Sequence, residues 1–250
     1  MSGLIALLGS GAYLDTMNEL DQYLLVETHC RRPKVMCVPT AAAPFGRRSI
    51  EHYTRISQDH FRYLGAQADV ALVTNRAAAN DPRWVEMARS ADLIYFSGGN
   101  PLYLCHTLAG SPFWAAVYDR WYCGAAIAGS SAGAIMLAQP ITLRPLGFKI
   151  IPAFGLVTDC CVWPHFDLRP VKRILTLLAD QLLTHETCAL GIDENTALVG
   201  RMGDRWQVSG AGRVMLLTAQ QSSVYANGSQ FTLPVYNDFH IDLRVHVTPA

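Results

Sequence analysis

The stretch AAIAGSSAGAIMLA, residues 125–138, places a run of small residues between an apolar strand and a helix-compatible segment. Residues 129–133 fit the pattern G-x-S-x-G, which turns sharply from a strand into a helix and holds its central residue in a strained backbone conformation. Small neighbours are required because bulky side chains would collide there. We therefore predict that Ser131 stands at the carboxyl edge of a sheet, near a helix N-terminus whose dipole favours developing negative charge.

The segments before this turn alternate between short apolar runs and longer helical patterns, which is typical of parallel strands joined by crossover helices. We predict strands at 4–8, 34–38, 70–73, 93–96 and 125–128, and helices at 13–30, 49–64, 82–89, 101–108 and 112–122. The fold class is thus α/β with a doubly wound, mostly parallel sheet. Ligands bind such sheets beyond the carboxyl ends of the strands. The loops expected to converge there are 9–13, 40–46, 98–100 and 129–133.

After about residue 197 the pattern changes to short alternating stretches separated by glycines, which predict antiparallel strands. The candidates are 197–199, 206–208, 214–217, 223–225, 231–235 and 243–247. Asn227-Gly228 is the strongest hairpin-turn signal in the chain. Because no Pro/Ser-rich linker precedes this tail, we predict a single hydrolytic domain over residues 1–250, with its core in about 1–200 and a β-rich extension in about 197–250.

The composition excludes several classes of protein. The 250 residues are 50% hydrophobic, with 20 Lys+Arg against 20 Asp+Glu. This rules out a disordered chain and leaves no broad basic surface for nucleic acid or an anionic membrane. The apolar start has no basic residue before it, which favours a buried strand over a signal peptide. Polar residues and Pro140 interrupt the longest weakly polar stretch, 124–141, so no membrane span is predicted and we expect a cytoplasmic protein.

The seven cysteines form an odd set without a C-x-x-C pair. The pattern predicts reduced, mostly buried thiols. No cluster of His, Cys and Asp has the spacing of metal ligands, so we expect neither a metal nor a cofactor.

A nucleophilic serine needs backbone amides aimed at the oxygen that becomes negative. Ala132, which follows Ser131, is a natural donor. Gly98-Gly99 ends a predicted strand and could bring a second amide close, because glycine has no side chain to obstruct the approach.

The serine also needs a general base, and the base needs a carboxylate that orients it. Among eight histidines, His165 is the best candidate because it ends a short apolar segment, while His106, close to the glycine loop, stays open. The sequence offers several carboxylates that could orient the histidine. In an extended segment only one member of an adjacent pair can face the histidine. The candidates are Asp159, Asp167, Asp193 and Glu194.

These residues resemble the dipeptidase E and cyanophycinase family of serine peptidases, which has the class I glutamine amidotransferase-like, flavodoxin-like fold. The resemblance covers residues 4 to about 199 and rests on GSG at 9–11, YFSGGN at 95–100, GSSAGA at 129–134, HF at 165–166 and GIDENTA at 191–197. It implies Ser131 as the nucleophile, His165 as the base and Glu194 as the orienting acid. Gly99 and Ala132 would donate to the oxyanion.

Members of this family cleave after aspartyl residues or in aspartate-derived polymers, using arginines that follow the histidine. Arg169 matches in place, and the residues we expect to bind substrate are Asn100, Arg169 and Arg173. The chain departs from the cyanophycinase pattern at Pro164, which replaces a glutamine, and at Val171 and Ile174, which replace arginines. These departures argue against cyanophycin as the substrate.

We predict a serine peptidase that cleaves small peptides, Asp-containing ones among them, through an acyl-enzyme. Its expected partners are a small peptide or amide substrate and, as the commonest oligomer, a second copy in a homodimer. Two alternatives stay open. One is a non-catalytic binding or sensor protein on the same scaffold. The other is an α/β-hydrolase-type esterase, whose chain order Ser, acid, His would use Asp193 and His240.

Overall fold

The computed structural model of the protein describes residues 2–143, 148–168, 170, 172, 183 and 187–234. Strands and helices alternate through its first half: β1 (Ile5–Leu8), α1 (Asn18–Glu27), β2 (Lys34–Val38), α2 (Arg47–Tyr63), β3 (Gln67–Val70), α3 (Pro82–Ser90), β4 (Leu93–Phe96), α4 (Pro101–Leu108), α5 (Pro112–Tyr122), β5 (Ala126–Ser130) and α6 (Ala132–Leu137). Short 3-10 segments lie at Asp15–Met17, Thr40–Phe45 and Ala78–Asn80. None of the helices in the described residues is both long and apolar enough to span a membrane.

The second half is built of strands in the part of the chain that the structure describes. They are β6 (Ile141–Leu143), β7 (Phe148–Ile151), β8 (Cys160–Trp163), β9 (Cys188–Ile192), β10 (Thr196–Gly200), β11 (Arg205–Gly210), β12 (Arg213–Leu217), β13 (Ser222–Ala226) and β14 (Gln230–Thr232). The strand predicted at 243–247 lies outside the described residues. Because residues 235–250 lie there too, the predicted extent of the domain stays a prediction.

Among the described strands, eight form a central sheet in the order β14-β11-β10-β1-β5-β4-β2-β3. The five from β1 to β3 in that order run parallel, and β10, β11 and β14 continue the sheet antiparallel. A second sheet has the order β13-β12-β9-β8, in which β8 and β9 are parallel. The predicted α/β fold with a mostly parallel sheet and antiparallel C-terminal strands is therefore confirmed.

The central parallel strands β1, β4 and β5 are buried along their whole length because helices cover both faces of the sheet. In β1, Ile5 and Leu7 belong to the core on the side of α3, α4 and α5, while Ala6 and Leu8 belong to the core under α1 and α2. Successive side chains of a strand point to opposite faces, so one short apolar run contributes to both cores.

Three helices begin where the sequence predicted, because each has a capping residue followed by proline at its first position. The side chains of Asp81, Asn100 and Ser111 accept hydrogen bonds from backbone amides in the first turns of α3, α4 and α5. The predicted bounds of α4 and α5 match the structure.

The prediction of a third strand at 70–73 is wrong by three residues. The strand is β3, Gln67–Val70, at the edge of the sheet, and its side chains alternate between exposed and buried. The apolar run that suggested the strand instead follows it, and Ala71 and Val73 are buried under the sheet edge. An edge strand needs only one apolar face, so the polar residues of β3 did not give the continuous apolar run by which the other strands were predicted.

Asn227-Gly228 forms a turn, but the strands on its two sides do not pair with each other. β13 pairs with β12 in the second sheet, whereas β14 pairs with β11 in the central sheet. The Asn227 side chain accepts a hydrogen bond from the Gly210 amide at 3.3 Å, and the Gly228 amide donates to the Val208 carbonyl at 2.9 Å. The turn thus connects the two sheets, and hydrogen bonds to β11 fix its position.

The expectation that all cysteines are reduced is wrong for one pair. Cys160 and Cys188 lie opposite each other in the parallel strands β8 and β9, with Cα atoms 4.6 Å apart, and form a disulfide. The sequence could not show this because 28 residues separate the two cysteines. Of the free thiols in the described residues, Cys37, Cys105 and Cys161 are buried, and burial raises the pKa of each to about 12.

A buried pair of polar side chains joins α1 to α2. Asp21 Oδ2 lies 2.7 Å from His60 Nε2, and both side chains are buried. Burial raises the pKa of the Asp21 carboxyl, and its hydrogen bond with His60 counteracts part of that rise. Removing one partner leaves the other without compensation in a low-dielectric environment.

Asp21→Leu is expected to lower the free energy of unfolding by about 3 kcal/mol, because it orphans His60. Urea denaturation measures this change. The double variant Asp21→Leu/His60→Leu should lose less than the two single variants combined. The control is Glu19→Leu on the exposed face of α1, which should stay within about 0.5 kcal/mol of the wild type. Equal stability of Asp21→Leu and Glu19→Leu would show that the pair does not hold the helices together.

Candidate active site

Ser131 occupies the turn between β5 and α6 with φ +51° and ψ −107°, a conformation that costs a residue with a side chain about 1–3 kcal/mol. The turn is possible because its neighbours are small. A Cβ on Gly129 would lie 2.4 Å from the carbonyl carbon of Gly133, and a Cβ on Gly133 would lie 2.7 Å from the Phe96 carbonyl oxygen. The Ser131 amide donates to the Leu8 carbonyl at 2.9 Å, which ties the turn to β1.

His165 lies just after β8, and its Nε2 is 3.0 Å from Ser131 Oγ. Its backbone also has a positive φ, +54°. The next residue, Phe166, anchors the turn, since its amide donates to the Ile192 carbonyl at 3.1 Å and its ring is buried. A Cβ on Gly191 would lie 2.6 Å from that ring, so β9 can approach Phe166 only because it has glycine there.

Glu194 completes a line of three side chains, because its Oε1 lies 2.9 Å from His165 Nδ1. The Glu194 amide donates to Asp167 Oδ1 at 2.9 Å, and the Asn195 amide donates to Ser10 Oγ at 3.2 Å. The loop between β9 and β10 is thus held by the segment after His165 and by the segment after β1.

The other carboxylates that the sequence left open have different neighbours. Asp193 Oδ2 accepts a hydrogen bond from the Arg213 amide at 2.9 Å, and burial raises the pKa of this carboxyl. Asp167 accepts from the Glu194 amide, as described above. Asp159 lies at the opposite end of β8 from His165, where its carbonyl accepts from the Cys188 amide. Glu194 is therefore the member of this set whose carboxylate the structure brings to His165.

Of the two predicted oxyanion donors, Gly99 lies in the loop after β4 and Ala132 begins α6. Gly99 has φ +143°, and a Cβ there would lie 2.2 Å from the Ala41 carbonyl oxygen, so this position requires glycine. The position that a Cβ would take on Gly98 is 3.5 Å from Ser131 Cβ. Ala132 begins α6 directly after Ser131. Within the described residues, the amides of Gly99 and Ala132 donate to no protein acceptor.

The structure describes one of the three residues predicted to bind substrate. Asn100 caps α4, with its Oδ1 accepting from the Tyr103 amide at 2.9 Å, so a contact with substrate stays a prediction. Arg169 and Arg173 lie outside the described residues. His106 is exposed on α4 and does not contact Ser131. The described residues contain no group of three His, Cys, Asp or Glu side chains that could hold a metal ion.

A cavity of about 430 Å³ opens beside Ser131 and His165, within the usual range for small-molecule sites. Its other lining residues are Ser10, Gly11, Ala12, Leu14, His52, Tyr53, Ile56, Gly98, Gly99 and Ser130. The loops after β1, β4 and β5 therefore converge as predicted. The segment 40–46, also predicted there, does not line this cavity, and its Ala41 carbonyl instead accepts a hydrogen bond from the Asn100 amide at 2.8 Å. Sequence reasoning missed Leu14 and the contribution of α2. The sequence predicts a helix over 49–64, which contains Tyr53 and Ile56, without assigning either residue to the site.

Comparison with known proteins identifies the family of this chain. The family model of peptidase family S51 matches residues 5–207. A cyanophycinase of Synechococcus elongatus is 25% identical over 238 residues, which cover 89% of this chain and 71% of that protein. A cyanophycinase of Geminocystis herdmanii (strain PCC 6308) is 26% identical over 202 residues, covering 75% of this chain and 71% of that protein.

Solved structures of peptidases also resemble this chain. A peptidase from an acI-B1 Actinobacterium superposes with a TM-score of 0.83 at 33% identity, covering 93% of this chain and 98% of that chain. A candidate peptidase E protein from Listeria monocytogenes EGD-e shares the fold, with a TM-score of 0.62 at 17% identity over 85% of this chain and all of the other. The chain belongs to peptidase family S51 and is a serine-type peptidase.

Proposed function

We propose that this peptidase cleaves small peptides with Ser131 as nucleophile, His165 as general base and Glu194 as the acid that orients the base. The observation that carries the proposal is the unbroken line of contacts, 3.0 Å from Ser131 Oγ to His165 Nε2 and 2.9 Å from His165 Nδ1 to Glu194 Oε1. Nucleophile, base and orienting group in this arrangement are the signature of a serine hydrolase.

The reaction follows from the positions of these groups. His165 Nε2 takes the proton of the Ser131 hydroxyl as Oγ attacks the scissile carbonyl carbon. The carbonyl oxygen becomes negative and accepts hydrogen bonds from the amides of Gly99 and Ala132. His165 then gives the proton to the leaving amine, and an acyl-enzyme remains on Ser131. Water, deprotonated by His165, releases the acid and restores the serine.

Glu194 has a separate role in this scheme. By accepting a hydrogen bond from Nδ1 of His165, it keeps Nε2 free of a proton and facing the serine. It also stabilises the imidazolium that forms when His165 takes the proton. Asp193, whose carboxylate bonds the Arg213 amide, supports the loop and takes no part in the proton transfer.

We propose small peptides or other small amides as substrates. Cleavage next to aspartate stays a prediction, since Arg169 and Arg173, the arginines expected to recognise it, lie outside the described residues. The homodimer and the cytoplasmic location likewise stay predictions. A non-catalytic binding role on this scaffold is the alternative to exclude by experiment. The esterase alternative would use Asp193 and His240: Asp193 accepts a hydrogen bond from the Arg213 amide, and His240 lies outside the described residues.

A fluorophosphonate that reacts with activated serines should label the wild-type protein once, at Ser131. Ser131→Ala should abolish labelling, and His165→Ala should slow it by about a hundredfold or more, since the base is lost. Mass spectrometry of the labelled peptide locates the site. His106→Ala is the matched control, because His106 is exposed on α4, and it should label at the wild-type rate. A wild-type protein that does not react would favour the binding role.

The adjacent carboxylates allow a matched comparison. Glu194→Gln should lower kcat on a peptide substrate by about a hundredfold or more, because the amide no longer holds His165 in the required tautomer. Asp193→Asn keeps an oxygen that can accept from the Arg213 amide and should change kcat only a few-fold. Steady-state kinetics of both variants test the assignment. If Asp193→Asn lost as much activity as Glu194→Gln, the orienting role of Glu194 would be wrong.

Gly98→Ala should fold normally yet react poorly. The added methyl group meets only ordinary van der Waals contacts, 3.5 Å from Ser131 Cβ and 3.7 Å from Tyr53 Oη, so the protein can accommodate it. It would occupy the space beside the nucleophile where a bound carbonyl must lie. We expect an unchanged thermal midpoint and a labelling rate at Ser131 lowered by about tenfold or more. Wild-type labelling would place the substrate elsewhere in the cavity.

A further inference from the structure

The cavity beside Ser131 has an apolar wall formed by Leu14, Tyr53 and Ile56. Tyr53 and Ile56 are three residues apart on α2 and therefore share one face of the helix. Both are partly buried and pack against the core between α2 and the central sheet, which fixes their positions. Leu14 is 51% exposed in the segment after β1, so an apolar side chain faces water at the rim of the cavity.

This wall lies close to the nucleophile. The position that a Cβ would take on Gly98 is 3.5 Å from Ser131 Cβ and 3.7 Å from Tyr53 Oη. A single small group thus reaches from the nucleophile to the wall. The part of the wall that these distances place near Ser131 is the Tyr53 hydroxyl, and Leu14 and Ile56 line the same cavity.

The charges around this wall decide what it can bind. Within the described residues, the cavity lining contains no Asp, Glu, Lys or Arg, and His52 and His165 are its titratable side chains besides Tyr53. A charged substituent placed against the wall would lose water, and none of the side chains of Leu14, Tyr53 and Ile56 supplies an opposite charge. An apolar substituent of the same shape would instead remove both its own surface and that of Leu14 from water.

We propose that the wall of Leu14, Tyr53 and Ile56 is a specificity subsite for an uncharged, branched-aliphatic or aromatic side chain on a residue next to the scissile amide. The proposal rests on the proposed function, since it takes Ser131 as the nucleophile. It concerns the side of the scissile bond that meets α2, so an acidic residue can still occupy the other side.

Leucine and aspartate test this subsite because their side chains are nearly isosteric and differ in charge. Four short peptide amides are compared. Leucine or aspartate stands either before or after the scissile bond, and glycine occupies the position on the other side of the bond. The measurement is the concentration of each peptide that halves the rate at which a fluorophosphonate labels Ser131. On one side of the bond, the leucine peptide should protect Ser131 at a concentration about tenfold or more below that of the aspartate peptide.

Leu14→Lys should lower or reverse this preference on the same side of the bond, because it places a positive charge at the rim. Its matched control is Val26→Lys, since Val26 is 60% exposed on α1 and does not line the cavity. That variant should keep the wild-type ratio. Both substitutions replace exposed apolar residues, so both proteins should fold.

The outcomes separate this inference from the proposed function. If the fluorophosphonate fails to label Ser131, the proposed function fails and the subsite fails with it. If Ser131 is labelled but neither peptide protects it, or leucine and aspartate protect equally on both sides, the subsite is wrong and the nucleophile assignment stands. A leucine preference that Leu14→Lys leaves unchanged would also overturn it.

Discussion

The site depends on how closely three stretches of backbone approach one another at Ser131. Gly129 in β5 lies against Gly133 in α6, and Gly133 lies against Phe96 at the end of β4, with no room for a Cβ at either glycine. This packing holds Ser131 at φ +51°, a conformation that an isolated chain would leave. Strain of this kind persists only where the surrounding structure over-determines it. The direction of the Ser131 side chain is therefore set by the packing of the central sheet rather than by a flexible loop.

The three side chains of the site come from different parts of the fold. Ser131 follows a strand of the central sheet, whereas His165 follows β8 of the second sheet. Glu194 lies in the loop that carries the chain from β9 in the second sheet to β10 in the central sheet. The disulfide between Cys160 and Cys188 links the strand before His165 to the strand before Glu194. A shift of one sheet against the other would thus separate nucleophile and base.

The apolar wall gives the same scaffold a means of choosing substrates. Tyr53 and Ile56 belong to α2, which α1 supports through the buried contact of Asp21 with His60, and Leu14 belongs to the segment after β1. Ser131, His165 and Glu194, the proposed catalytic residues, lie on other elements. Changes on α2 and in the segment after β1 can therefore alter specificity without disturbing the line from Ser131 to Glu194.

The sequence by itself determined the features that local sterics and capping control. G-x-S-x-G predicted the turn at Ser131, and the cap-proline pairs predicted where α4 and α5 begin. Tertiary structure decided which of Asp193 and Glu194 faces His165, because neighbouring side chains of a loop diverge and their partners, such as Arg213, lie far along the chain. It also decided the cysteine pairing and the approach of α2 to the nucleophile. Both features depend on contacts between segments that are distant in the sequence, and these contacts form only when the sheets pack.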